Sequence, residues 1–383
     1  MKQTAKRLES VQEYYFSRKL REVAQRIQAG QPIINMGIGS PDLPAHPSVT
    51  EALQNALTHP KAHMYQSYQG LPELRQGISE FYKTHYQVAL DADSEVLPLM
   101  GSKEGIMHIS MAFLNPGDEV LIPNPGYPTY ASVTRLMEAE PVLYSLSAAN
   151  NWQPDFEALD ALDTSKVKIM WVNYPHMPTG TDVDIETFDR LIAWAKKREI
   201  LIVNDNPYSF VLTENPQSIL SRPGAKEVAL ELNSLSKSFN MAGWRVGMLS
   251  GKAETIQAVL KVKSNMDSGM FYGIQQGAIA ALKMQDSWFA ELNTIYGRRR
   301  RLVEKLATQM GVEFDPNSVG LFVWAKLPQG VSNAEAFIDT ILDEKFVFIT
   351  PGTIFGSQGE GYIRFSLCVN EQTIEEVLKR FES

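Results

Sequence analysis

Cys368 is the single cysteine in 383 residues, which excludes an intrachain disulfide and any zinc site built from several thiolates. Positive charge is in deficit: 36 Lys and Arg against 44 Asp and Glu leave a formal net charge of −8. Such a chain lacks the basic surface with which proteins hold nucleic acid or anionic membranes. No apolar run approaches the roughly 18 residues that a membrane-spanning helix needs. The opening MKQTAKRLESVQEYYF has no apolar core of a secretory signal. The expectation is a soluble cytoplasmic protein with neither membrane nor nucleic-acid partners. Two nucleotide motifs are also missing. No predicted strand runs into GxGxxG, which argues against a nicotinamide dehydrogenase, and GxxxxGK[ST] does not occur.

What is present is core-forming material, with 44% apolar residues and a length that suggests about two or three domains. Helical periodicity places Leu74, Ile78, Phe81 and Tyr82 on one face, and Phe188, Leu191, Ile192 and Ala195 on another. Between such helices stand the apolar runs Val96–Met100, Glu119–Ile122, Lys168–Val172, Ile200–Val203 and Val246–Leu249. Runs without polar alternation suit a mostly parallel sheet covered on both faces. The fold class is therefore α/β, a three-layer large domain over residues 46–290. Beyond it the pattern changes to strand 321–326, helix 334–343, strands 346–349 and 362–367, and a last helix. That is a smaller α+β domain over residues 291–383. Residues 1–45 are too few for a domain and read as an N-terminal arm joining the smaller one. Arg298, Arg299, Arg300 and Arg301 are expected on a solvated helix face.

In an open parallel sheet, ligands gather at the carboxyl ends of the strands. Four successive strand exits here carry turn formers with polar or aromatic groups: Gly101-Ser102-Lys103-Glu104-Gly105, Pro123-Asn124-Pro125-Gly126-Tyr127-Pro128, Asn173-Tyr174-Pro175-His176-Met177-Pro178-Thr179-Gly180 and Asn204-Asp205-Asn206-Pro207-Tyr208. Four in succession point to one shared pocket. Free N–H groups at a helix start beside a hydroxyl, as at Ser102, suit a phosphate, although Gly-Ser there also serves as an ordinary cap. Asp205 follows four apolar residues and needs a partner, because a buried unpaired charge is costly. Either a turn or a cationic heterocycle could supply one. Ser234, Ser236 and Lys237, with Arg245 eight residues later, surround a further turn. An SxxK nucleophile would need SDN and KTG companions, which are absent. The other reading makes Lys237 a Schiff-base amine beside a phosphate held by Ser234 and Arg245.

These segments together resemble the fold type I pyridoxal-phosphate-dependent aminotransferases of class I/II. SLSKSFNMAGWRVG (234–247) looks like the family's lysine signature. GIGSPDLP, YQSYQGLPELR, GSKEGI, PNPGYPTY and NDNPY match further blocks in the family's order, from about Ile34 to Arg364. GIGSPDLP and GSKEGI look most like the LL-diaminopimelate and aspartate aminotransferase-like branch. The resemblance implies that Lys237 binds pyridoxal 5'-phosphate covalently and later shuttles a proton. It implies that Asp205 pairs with the pyridinium nitrogen, Tyr127 stacks on the ring and Tyr208 hydrogen-bonds its 3-oxygen. Ser102, Lys103, Ser234, Ser236 and Arg245 would meet the phosphate, together with Tyr65 from the second subunit of a homodimer. Arg364 would fork onto the substrate's α-carboxylate, with Gly39 permitting close backbone approach.

One position departs from the family pattern. NPTG reads Met177-Pro178-Thr179-Gly180 here, and a thioether cannot donate the hydrogen bond that Asn gives the ring oxygen. His176 either replaces that donor or faces solvent. No metal is implied. Residues 264–282 hold no arginine to meet a side-chain carboxylate from across the dimer, which favours an apolar or mixed side-chain pocket over strict aspartate recognition. Lys103 could still meet a distal carboxylate. The implied function is exchange of an amino group between an amino acid and a 2-oxo acid, with 2-oxoglutarate as the acceptor, by a ping-pong mechanism. The rival within the same cofactor class is a C–S β-lyase. A non-catalytic cofactor-binding regulator is disfavoured by the short stretch before Ile34.

Overall fold

The computed structural model describes residues 4–9 and 15–382, so parts of the expected N-terminal arm (1–3 and 10–14) lie outside the described residues. A first short strand, β1 (Ile34–Asn35), is followed by the seven strands of the main sheet. These are β2 (Val96–Leu99), β3 (Glu119–Asn124), β4 (Glu140–Ser145), β5 (Val167–Val172), β6 (Leu201–Asp205), β7 (Ala229–Ser234) and β8 (Gly247–Gly251), in spatial order 2-8-7-6-5-3-4. The five strands β4, β3, β5, β6 and β7 run parallel, whereas β8 is antiparallel to both β2 and β7. The sheet is thus mostly parallel, as its sequence predicts. Ile169, Met170, Trp171 and Val172 of β5 and Ile202 and Val203 of β6 are inaccessible to solvent, and each large apolar side chain so buried contributes about 1.5–3 kcal/mol.

Local signals explain the flanking helices. Helix Ile185–Arg198 starts where the Asp184 carboxylate accepts the Glu186 N–H at 3.1 Å. It carries Lys196, Lys197 and Arg198 in its last turn, where cations meet the negative end of the helix dipole. It buries the expected face of Phe188, Leu191, Ile192 and Ala195. Leu74, Ile78, Phe81 and Tyr82 are likewise buried, on helix Pro72–Tyr86. Helix Ser102–Phe113 begins after Gly101, whose φ of 86° is a conformation that glycine adopts without strain.

A second, four-stranded antiparallel sheet consists of β9 (Glu313–Phe314), β10 (Phe322–Lys326), β12 (Thr350–Pro351) and β13 (Tyr362–Ser366), in order 12-13-10-9. The intervening β11 (Val347–Phe348) pairs in parallel with β1. One apolar core gathers these strands with Val23 and Met36 from the N-terminal part of the chain. Trp152 packs against this core and also against the core of the main sheet, with its ring edge-on to Trp324 (6.1 Å) and Tyr362 (5.2 Å).

The arginine run on helix Asp286–Gln309 departs from expectation. Arg298 and Arg301 are exposed, but Arg299 is buried and donates to both oxygens of Asp42 (2.6 and 2.8 Å) and to the Leu367 carbonyl. Arg300 donates to the hydroxyl and carbonyl of Ser318. Consecutive residues on a helix point in different directions, so one charged run is divided between solvent and interior.

Candidate active site

The strand exits converge as expected. A cavity of about 420 Å³ is bordered by Ser102, Lys103, Tyr127, Asp205, Tyr208, Ser234, Ser236, Lys237 and Arg245 from the main sheet's side. Gly39, Met177, Phe322, Phe355 and Arg364 close it from the other. Tyr65 is not part of this wall. It is 91% exposed and does not border the cavity of its own chain.

At one end of the cavity, backbone and cationic groups converge. Ser102 opens its helix with no side-chain cap on its N–H groups. The Arg245 guanidinium lies so close to Gly101 that a Cβ there would sit 2.1 Å from it, and a Cβ on Gly247 would sit 2.6 Å from the Ser102 nitrogen. Only glycine leaves this end open. Ser234, the last residue of β7, caps the next turn by accepting the Ser236 N–H at 3.1 Å, and its hydroxyl also bonds that of Ser236 (2.8 Å). Arg245 is pinned by its bond to the Ala242 carbonyl (2.9 Å).

Deeper in, the end of β6 places Asp205 almost out of reach of water. Its Oδ2 accepts from the Tyr130 hydroxyl at 2.8 Å, while Oδ1 has no partner among the described residues. Burial pushes this carboxyl up to about 6, against the pull of the Tyr130 hydrogen bond and the Lys237 charge. Tyr130 is itself fixed, stacked on Trp171 at 4.8 Å and edge-on to Tyr127 at 5.5 Å. Asn173 bonds the Asp205 carbonyl through Nδ2 (2.5 Å) and accepts the Met177 N–H through Oδ1 (3.0 Å).

Lys237 lies in the short helix Leu235–Ser238, and its Nζ donates to the Gly39 carbonyl at 2.5 Å. Burial pulls its pKa down, with further lowering from the positive charges of Arg364 and Arg245. A Cβ on Gly39 would meet the Phe322 ring at 2.3 Å, so a side chain there would force the segment off the cavity wall.

Arg364 of β13 is buried between two aromatic faces, 3.8 Å from the centre of Phe322 and 4.6 Å from that of Phe355. Its Nη2 donates to the Gly37 carbonyl (2.9 Å), its Nη1 lies 3.3 Å from the Met177 sulfur, and its Nε has no partner among the described residues. Burial lowers its pKa to about 10. Among the described residues no carboxylate is its hydrogen-bond partner. A desolvated guanidinium so placed suits a ligand carboxylate.

His176 does not face solvent. It is buried, pairs through Nδ1 with Thr179 Oγ1 (2.8 Å) and does not border the cavity. Burial lowers its pKa to about 3. Sequence reasoning also missed several lining residues. Tyr130 could have been found as the second tyrosine of PNPGYPTY, one helical turn after Tyr127. Ser17, Phe322, Ile354 and Phe355 come from distant segments and carry no local signal.

Comparison with known proteins places this geometry. The family model for aminotransferase class I and II matches residues 31–381. LL-diaminopimelate aminotransferase from Aquifex aeolicus is 38% identical over 379 residues, 98% of each chain. The protein of that name from Dehalococcoides mccartyi is 41% identical over 97% of this chain and 96% of its own. The substrate-bound structure of BacF from Bacillus subtilis superposes with a TM-score of 0.94 at 34% identity, over 99% of this chain and 97% of that one. The chain belongs to the class I and II aminotransferases, fold type I, and is an aminotransferase that works with pyridoxal 5'-phosphate.

Proposed function

We propose that this aminotransferase exchanges an amino group between an amino acid and 2-oxoglutarate in two half-reactions, with Lys237, Asp205 and Arg364 as its central residues. The observation that carries this reading is their convergence on one cavity: a buried amine, a buried carboxylate with a free oxygen, and a buried guanidinium without a carboxylate partner.

The residues fit the coenzyme. The orphaned Oδ1 of Asp205 suits a protonated ring nitrogen, and the glycine-lined end beside Ser102, Ser234, Ser236 and Arg245 suits a phosphate. Bound there, the coenzyme supplies an aldehyde and an electron sink. Asp205 would hold the ring by its protonated nitrogen and keep it charged, and Tyr127 and Tyr208, on the same cavity wall, would help to hold the ring. Arg364 orients the substrate by its α-carboxylate, and the Phe322 and Phe355 rings exclude water from that pair. Lys237 Nζ, with its pKa lowered by burial, accepts the proton that leaves the substrate's α-carbon. Lys103, exposed at the cavity edge and without an ion pair among the described residues, is placed to meet a distal carboxylate. The names of the relatives make LL-diaminopimelate the first donor to test.

In this reading residues 46–290 form the coenzyme-binding domain, and residues 291–383 with the N-terminal arm form the smaller one. Val23 and Met36 in the second core support it. A homodimer is supported by the exposed Met64, Tyr65, Tyr68, Met266 and Phe271, whose burial would bring Tyr65 to the partner's phosphate end. Mixing the holoenzyme with a panel of amino acids tests the function. The coenzyme's absorbance should change with LL-diaminopimelate and return on adding 2-oxoglutarate. Pyruvate and ammonia released from a cystathionine-like compound without any acceptor would show a lyase instead.

A further inference from the structure

Directly behind the Ser102 end lies a buried charged cluster that the proposed reaction does not use. Glu104, in the first turn of helix Ser102–Phe113, accepts the Met100 N–H through Oε2 (2.5 Å), and its Oε1 lies 3.0 Å from His108 Nε2. Lys263, in the last turn of helix Ala253–Lys263, is 1% exposed. Its ammonium lies 3.6 Å from Glu104 Oε1 and is paired tightly with Asp267 Oδ2. Asp267 Oδ1 in turn accepts the Gly269 N–H at 2.7 Å. Gly269 has a φ of +86°, and a Cβ on it would lie 2.4 Å from the Gln66 carbonyl oxygen. The cluster therefore joins the helix start at Ser102 to the segment next to Tyr65. Glu104, His108 and Asp267 could in principle surround a metal ion, but the protein's own ammonium already sits among them.

The charge in this position needs an account. A carboxylate in the first turn favours the helix itself, yet here it stands two residues from a helix start that, on the reading above, meets a phosphate. Two like charges there oppose binding. Burial alone would also discourage Glu104 from ionising, but the adjacent His108 ring and the Lys263 charge outweigh it and lower its pKa. Glu104 is thus a part-buried anion with a buried cation beside it.

We infer that Lys263 is a positioning residue for the coenzyme's phosphate: its ammonium, held between Glu104 and Asp267, offsets the charge of the Glu104 carboxylate beneath the Ser102 helix start and fixes that start against the segment bearing Tyr65. The inference rests on the assignment of the Ser102 and Arg245 end to phosphate. Its signature is selectivity for the phosphate group, because pyridoxal has the same ring and aldehyde without the charge.

The test is titration of the coenzyme-free protein with pyridoxal phosphate and with pyridoxal, following lysine-bound absorbance. Lys263→Met should lower the preference for the phosphorylated form about tenfold, with pyridoxal affinity nearly unchanged. Equal loss for both ligands would mark a merely structural role, and no loss would remove the role. Glu104→Gln keeps an acceptor for the Met100 N–H and leaves the Lys263–Asp267 pair in place. It should raise the phosphate preference severalfold, and a fall would overturn the inference even if Lys263→Met does not fold. Arg245→Met separates the two levels of argument. If that variant keeps its phosphate preference, the assignment of this end is wrong. If it loses the preference while Lys263→Met does not, only the role of Lys263 fails.

Discussion

The Nη1 of Arg364 lies 3.3 Å from the sulfur of Met177, a contact in which a guanidinium meets a weak acceptor. Replacing the thioether by an amide restores both a good acceptor and a donor. Met177→Asn is expected to lower the pH at which the lysine-bound coenzyme's absorbance titrates, because a new donor to the ring oxygen stabilises its anion. An unchanged titration curve would show that position 177 does not reach that oxygen.

Asp205 bears on stability as well as chemistry. Burial raises its folded pKa from 3.8 to about 6, so the coenzyme-free fold favours the protonated form. The stability tied to that proton is fully present below about pH 4 and is lost as pH rises through 6. The loss is roughly 2–3 kcal/mol, at about 1.4 kcal/mol per unit. Asp205→Asn should therefore make the coenzyme-free protein more stable at pH 7 while weakening coenzyme binding. Chemical denaturation of both proteins at pH 4 and pH 7 checks the sign, and a variant less stable at pH 7 would contradict it.

The Tyr130 hydroxyl opposes that rise by donating to Oδ2. Tyr130→Phe keeps the ring stacked on Trp171 but removes the donor, so the Asp205 pKa should climb further. Coenzyme affinity should fall several-fold near pH 6.5 and change little at pH 8.5, where the carboxylate is ionised in both proteins. A loss independent of pH would point to packing instead.

Lys237→Ala should abolish reductive trapping of the coenzyme on the protein. It should also cut transamination by at least about 10²–10⁴, the range for a positioned general base. Peptide mapping that finds the trapped adduct on another lysine would end the assignment.

Much of this was legible in the sequence because the exits of parallel strands are contiguous. Ser102, Tyr127 and Asp205 each follow an apolar run, and the sheet then brings them together with Lys237. The strand β7 was not foreseen, since Glu231 and Asn233 interrupt its apolar pattern. Glu231 is fully buried and satisfied by Asn204, Ser218 and the Ile219 N–H, partners remote in sequence. Strand β4 was missed for the opposite reason: it is an edge strand, largely exposed, with little core to announce it. The aromatic walls around Arg364 were invisible because Phe322 and Phe355 approach it only through the pairing of β10 and β12 with β13 and the turn that follows β12.

Trp152 has a further consequence. Its indole packs against both apolar cores, edge-on to a second indole and a phenol that belong to the second of them. Any shift of one core against the other must change those ring separations. Trp152 is therefore an intrinsic fluorescent reporter on the packing between those two cores, readable without attaching a dye.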